Sequence, residues 1–256
     1  MIAILLFSQF SLADSLYTHG YYELARVEYK RQFFFYPELK TDQHARFNFG
    51  LSLLKNDDVR GIQELNRMIT DFPELEPELN VSMAQYYMKV GNYYQARNVL
   101  SKTEEHDVLG FVYLLNDQFT DAHNIFMKTG NEALAREINA YIQKPKKSRG
   151  TAAFLSSICP GAGEIYAGNI RLGIMDFFLN LGSGYLIYNA MKQKKYVDAA
   201  LVFTFLFQRF YFGSISNAQK SVIEKNGIER QQWLSKVKDT YFSPQDTVVR
   251  DINLDY

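Results

Sequence analysis

The spacing of apolar positions changes character along the chain. Between Asp14 and Gln143 they recur every three or four residues among polar and charged ones, which predicts amphipathic helices in water. Between Thr151 and Ser216 they thicken into two runs, Leu172–Met191 and Val197–Ile215, separated by Lys192-Gln193-Lys194-Lys195-Tyr196. Each run approaches the ~20 residues that a helix needs to span hydrocarbon. Amphipathic spacing returns from Asn217 to Lys238, with Val222, Ile223, Trp233 and Leu234 at apolar positions. Asp239 to Tyr256 is polar, carries Pro244 and predicts a wandering tail.

A short apolar core also opens the chain, from Met1 to Phe7, and Ser11-Leu12-Ala13 before Asp14 has the small-x-small form of a signal-peptidase site. No Lys or Arg precedes that core, as one normally does in an exported segment. Residues 1–13 are expected to be a signal peptide; the other reading is a buried first helix of the amphipathic region. The segment is too short to be a permanent span.

The helices of residues 14–143 repeat. Gly20-Tyr21-Tyr22-Glu23-Leu24-Ala25, followed by Tyr29 and Pro37, is matched by Gly91-Asn92-Tyr93-Tyr94-Gln95-Ala96 and by Gln118-Phe119-Thr120-Asp121-Ala122 with Phe126. A weaker copy has Gly61, Leu65 and Pro73. Ala84 and Tyr87 precede Ala96 at the offsets by which Gly110 and Tyr113 precede Ala122. This stretch resembles the tetratricopeptide family, in which small residues let paired helices approach and aromatics fill the gap. The fourth copy follows the third early, so a helical turn is lost near Ser101 to His106, and the first copy has only a short leading helix. Asn131 to Gln143 reads as a capping helix. The resemblance implies a solenoid that binds a protein or peptide partner in a groove, with Arg46, Gln85, Met88 and Phe111 facing it. These four are equally readable as solvated or packed residues. Most of Phe33-Phe34-Phe35-Tyr36 is expected in the core between repeats.

Residues 144–150, Lys-Pro-Lys-Lys-Ser-Arg-Gly, form a basic linker suited to contact with anionic lipid headgroups. Beyond it, Pro160, Gly161, Gly163, Tyr166, Gly168 and then Gly173 resemble the signature of a bacterial two-pass membrane module of the cell envelope. That pattern usually has glutamine where this chain has Glu164. Proline and glycine break the helix here and permit close backbone approach, which predicts an interfacial or re-entrant turn before the two spans.

Each span carries one charge that lipid resists. The Leu, Ile and Phe residues of the first contribute roughly 2–5 kcal/mol towards insertion, and Asp176 opposes them by up to ~3 kcal/mol. Arg209 does the same to the second. Reflection through the turn at Lys194 sets Asp176 opposite Phe212, one helical turn from Arg209, and Asn180 opposite Gln208. An intramembrane Asp176–Arg209 pair flanked by Asn180 and Gln208 is therefore expected, as a structural pair rather than an ion path.

Composition narrows the functional classes. Lys+Arg and Asp+Glu balance at 28 each, so no net charge draws the chain to nucleic acid. The lone Cys159, in an apolar run beside Pro160, is expected to be a buried thiol. His19, His44, His106 and His123 are scattered without ligand spacing, no serine sits in a Gly-x-Ser-x-Gly elbow, and no phosphate-cradling Gly-Lys-Ser/Thr loop is present. No catalytic residues, metal or cofactor are predicted, and the chain is not expected to be an enzyme.

The sequence predicts an all-α protein: a tetratricopeptide-like helical solenoid over 14–143, a transmembrane helical hairpin within the module of 151–216, and a C-terminal helix and tail over 217–256. The expected role is a scaffold that binds a protein or peptide partner on the bacterial inner membrane, with the repeats on the periplasmic side and Lys192, Lys194 and Lys195 inside. The alternative is a small-solute or lipid-handling protein that works through the glycine turn and its polar cluster.

Overall fold

Four helical hairpins in the first half of the chain close on the same turn. The computed structural model describes residues 12–242, which are helical with short turns and contain no strand among the described residues. In chain order, α1 covers residues 12–18, and α2 Tyr22–Phe35, α3 Gln43–Lys55 and α4 Arg60–Asp71 come after it. Next come α5 Glu76–Lys89, α6 Tyr93–Leu100, α7 His106–Leu115, α8 Phe119–Lys128 and α9 Glu132–Gln143. The turns α1–α2, α3–α4, α5–α6 and α7–α8 each hold one left-handed residue: Gly20, Asp57, Gly91 and Asp117. The N–H after each reaches back five residues to a helix carbonyl, Tyr21 to Leu16, Asp58 to Leu53, Asn92 to Tyr87 and Gln118 to Tyr113, at 2.8–2.9 Å. This is the Schellman stop, which satisfies carbonyls that a helix end leaves open.

Small residues then set the closeness of each pair. A Cβ on Gly61 would lie 2.5 Å from the Leu54 side chain and 2.8 Å from the Gly50 carbonyl oxygen, and one on Gly110 would lie 2.6 Å from the Phe126 ring. Aromatic and aliphatic side chains fill the remaining space: Tyr29 with Ala13, Ala25 and Ala45, then Leu65, Met68, Leu79 and Met83. The lost turn is visible where α6 has 8 residues and α7 has 10, against 14 in α5.

Residues 1–11 of the expected signal peptide lie outside the described residues. Ala13 at its end is part of α1 and fully buried. Phe33 packs on Tyr29 and Phe49, but Phe34 and Phe35 are 77% and 61% exposed, contrary to expectation, because α2 has only one covered face.

The chain divides into two units, residues 12–142 with 237–242, and Gln143–Lys236. In the second unit α10 is Arg149–Ile158, α11 Ala162–Ala167 and α12 Ile170–Lys192. Then α13, Tyr196–Val202, passes through a π-helical stretch, Phe203–Phe207, into α14, Gln208–Tyr241. Lys194, with φ +60°, closes the α12–α13 hairpin by the same Schellman bond, Lys195 N–H to the Ala190 carbonyl at 2.9 Å.

Two boundaries differ from the sequence expectation. No break occurs at residue 216, because α14 continues through it, and residues 239–241, expected to wander, are its last turn. Of the two expected spans, the run Tyr196–Tyr241 is long and apolar enough to cross a membrane, whereas α12, interrupted by Asp176 and Asn180, is not.

Candidate functional site: a buried carboxyl node under a glycine turn

Pro160 stops α10, and Gly161, at φ +92°, starts α11. A Cβ on Gly161 would sit 2.0 Å from the Gly173 carbonyl oxygen on α12, and one on Gly173 would sit 2.5 Å from the Gly161 oxygen. Gly163 faces the other way, where a Cβ would meet the Ala152 carbonyl at 2.1 Å and the Ala218 methyl at 2.7 Å. Gly168, at φ +99°, ends α11, and Asn169 N–H bonds the Glu164 carbonyl at 2.8 Å. Thus α11 is wedged against α10, α12 and α14 at distances only glycine permits.

Tyr166 ties down the preceding segment. Its hydroxyl accepts the Ser148 N–H at 3.2 Å, and its ring lies 5.3 Å from the Lys147 ammonium, which also bonds the Tyr166 carbonyl. Asn226 donates to the Lys147 carbonyl at 3.0 Å, and Lys144 pairs with Glu229 at 2.9 Å. Lys144 and Lys147 of the basic linker are therefore tied to α11 and α14.

At the centre lies Glu164, fully buried. Its two oxygens accept hydrogen bonds from the hydroxyls of Ser156, at 2.7 Å, and Ser214, at 3.0 Å. Each serine oxygen in turn accepts a backbone N–H, from Gly163 at 3.0 Å and from Gly161 at 2.9 Å. Each serine oxygen thus accepts one amide while its hydroxyl hydrogen points at the carboxyl. Asp176 on α12 also bears on the Glu164 carboxyl. Asp176 accepts from the Asn217 amide at 3.1 Å, and the Asn180 amide donates to the Asp176 backbone carbonyl at 2.8 Å. Burial first, and the Asp176 contact second, push the Glu164 carboxyl above its ordinary value. No cation pairs with either acid among the described residues. The raised value favours the protonated form of Glu164.

The expected Asp176–Arg209 pair is not formed. Arg209 is exposed and in no ion pair among the described residues, and Gln208 is exposed too. Asp176 meets Asn217 instead, eight residues later, or about 12 Å further along the helix at 1.5 Å per residue. The contact falls five residues beyond Phe212, the position that reflection sets opposite Asp176, on a limb interrupted by the π-helical stretch. Cys159 is exposed rather than buried, because it caps α10.

The groove residues are not gathered on one open surface. Arg46 is buried, bonded to Glu64 at 3.2 Å and to Asp71, with its guanidinium 5.8 Å from the Phe72 ring. It edges an open cavity of about 380 Å³ with Phe33, Phe49 and Glu64. Met88 and Phe111 are core residues and Gln85 is half-buried, since each leading helix turns these positions towards its own pair.

Sequence reasoning missed Ser156, Ser214 and Asn217 and passed over Glu164 as a departure from a pattern. One signal was available. On α12 the buried residues are Gly173, Asp176, Asn180 and Ser183, a small and polar stripe at helical spacing inside an apolar helix.

No family model matches the chain, and no solved structure matches it. An uncharacterised protein of Methanocaldococcus jannaschii is 41% identical over 64 residues, 24% of this chain. The matched region spans about 65% of that relative's length.

Proposed function

We propose that the chain is a membrane-anchored helical-repeat scaffold that holds a protein or peptide partner at a bacterial envelope membrane. One observation carries the anchoring: the second unit is patterned inside out. While Asp176, Asn180 and Ser183 are buried on α12, Phe178, Leu181, Tyr185 and Tyr188 are 57–65% exposed. Val197, Phe205 and Phe212 on the second limb are 64–74% exposed. Water penalises so large an apolar surface, whereas lipid favours it and drives polar groups inward. The hairpin enters as one unit, α12 depending on its partner limb to cover the acid. Tetratricopeptide-like pairs stacked as a solenoid supply the binding domain. The lysine turn, which the positive-inside preference keeps in the cytoplasm, supports a periplasmic position for the repeats at the inner membrane.

The buried Glu164–Asp176 pair favours a second reading, in which the module handles a small solute, lipid or ion. Crosslinking and pull-down of full-length protein from native membranes, with wild type and Glu164→Gln side by side, separates the two. A partner captured equally by both supports the scaffold. Capture of none, with a transport or growth defect confined to Glu164→Gln, supports the second reading.

A further inference from the structure

Between Lys195, at the hairpin turn, and Lys220 the second limb carries two charges, Asp198 and Arg209. Asp198 stands next to the turn. Arg209 stands eleven residues from Asp198 and eleven from Lys220, roughly 16 Å from each at 1.5 Å per residue. That is about half of a ~30 Å hydrocarbon core, which puts the arginine near mid-depth. Of the apolar stretch that qualifies this limb as a span, 11% is buried. Arg209 is exposed there, and its guanidinium makes no ion pair or hydrogen bond among the described residues. Gln208 beside it is exposed as well. Phe205 and Phe212, 66% and 64% exposed, lie one turn to either side of Arg209. Gly213 and Ser216 follow on the same face, and a Cβ on Gly213 would meet nothing within 4 Å.

We propose that this face of α14 docks one transmembrane helix of a second protein, and that the helix carries a carboxylate at mid-depth which pairs with Arg209. The inference rests on the membrane-anchoring part of the scaffold reading and adds a partner within the bilayer. A charge on the outer face of a span is met by headgroups, by water in a cavity or by a partner helix. Headgroups lie too far from mid-depth for the side chain to reach without thinning the bilayer. An outward face flanked by Phe205 and Phe212 encloses no cavity. A partner helix remains, and a guanidinium fork selects a carboxylate. A second copy of this chain does not supply that acid. Copies inserted in one orientation bring Arg209 against Arg209 about a two-fold axis, Asp198 lies eleven residues away, and Asp176 is buried. Gly213 and Ser216 give the incoming backbone room to approach, and Gln208 offers it a further hydrogen bond.

The test reconstitutes full-length protein, with a donor fluorophore on its single, exposed cysteine Cys159, into phosphatidylcholine vesicles. The probe is an acceptor-labelled polyleucine transmembrane peptide with one glutamate at its centre, and the controls carry leucine or glutamine there. Energy transfer should report association at least about fivefold tighter for the glutamate peptide than for either control. Arg209→Leu should abolish that preference, and Arg209→Lys should retain it, which guards against misfolding of the first variant. No preference for glutamate, or the same preference in wild type and Arg209→Leu, overturns the proposal. Loss of the preference on adding phosphatidylglycerol assigns Arg209 to a lipid phosphate and overturns it too, as does self-association that Arg209→Leu abolishes. Vesicle flotation is scored separately. Protein that does not float with the vesicles sinks the membrane reading and this proposal together, whereas flotation without the preference sinks this proposal alone.

Discussion

The carbonyl oxygen of Gly173 lies 2.0 Å from where a Cβ on Gly161 would sit, so the backbones of α11 and α12 touch where no other residue pair fits. Two buried carboxyls, Glu164 and Asp176, stand on the two helices joined by that approach. The glycine signature therefore sets the helices of Glu164 and Asp176 side by side.

Gly161→Ala should destabilise the protein by on the order of 3 kcal/mol, combining a left-handed backbone with a backbone clash. Gly168→Ala, left-handed but facing open space, should lose only about 1–2 kcal/mol. Gly182→Ala, mid-helix with nothing within 4 Å, should be neutral or stabilising. Thermal unfolding in one detergent checks the order, and equal losses for all three would contradict the close-approach account.

The carboxyl node predicts a pH dependence. Burial, then Asp176, raises Glu164 in the folded state, so the folded protein binds a proton more tightly than the unfolded chain does. Its contribution is complete below the ordinary carboxylate range and is lost as pH rises through the raised folded value. Glu164→Gln removes this titration while keeping the serine contacts in reach. Melting temperature against pH should therefore fall less steeply on the alkaline side in the variant; superimposable profiles would refute the raised Glu164 carboxyl.

Arg209→Ala should leave membrane retention and melting unchanged, because Arg209 is exposed and in no ion pair among the described residues. Asn217→Ala, which strips the amide from Asp176, should lower stability by about 1–3 kcal/mol. A larger loss for Arg209→Ala than for Asn217→Ala would restore the pairing read from the sequence.

Arg46→Ala tests whether a position assigned to the groove is structural. Loss of its bonds to Glu64 and Asp71 should cost about 2 kcal/mol, less than a deeply buried pair because Asp71 is half-exposed. Unfolding of α3–α4 followed by hydrogen exchange measures it. Unchanged exchange with weakened partner capture would return Arg46 to the binding surface.

Much of the pairing of helices was legible because it rests on local chemistry. Ala25, Gly61, Ala96 and Ala122 mark the close approaches, and Gly20 and Gly91 mark the turns. Asp57 and Asp117 take the same left-handed turn conformation without being glycine, so only the backbone reveals that the turns are equivalent. In the module, the glycines and Tyr166 were recognisable, but their purpose was not, since Gly161 and Gly173 act on each other twelve residues apart. The Asp176–Arg209 expectation failed because reflection through Lys194 set Phe212 opposite Asp176, whereas the side chain that meets it is Asn217, on a limb that Phe203–Phe207 makes non-uniform. Glu164 was misjudged because an acid in a glycine turn reads as surface until Ser156 and Ser214 close over it.

The membrane anchoring proposed above requires lipid around α12 and its partner limb. Carbonate extraction of native membranes, followed by detergent, measures this most directly. The full-length chain should stay in the carbonate-washed pellet and enter solution only with detergent. Recovery of most of it in the carbonate supernatant, folded and without detergent, would contradict the membrane reading.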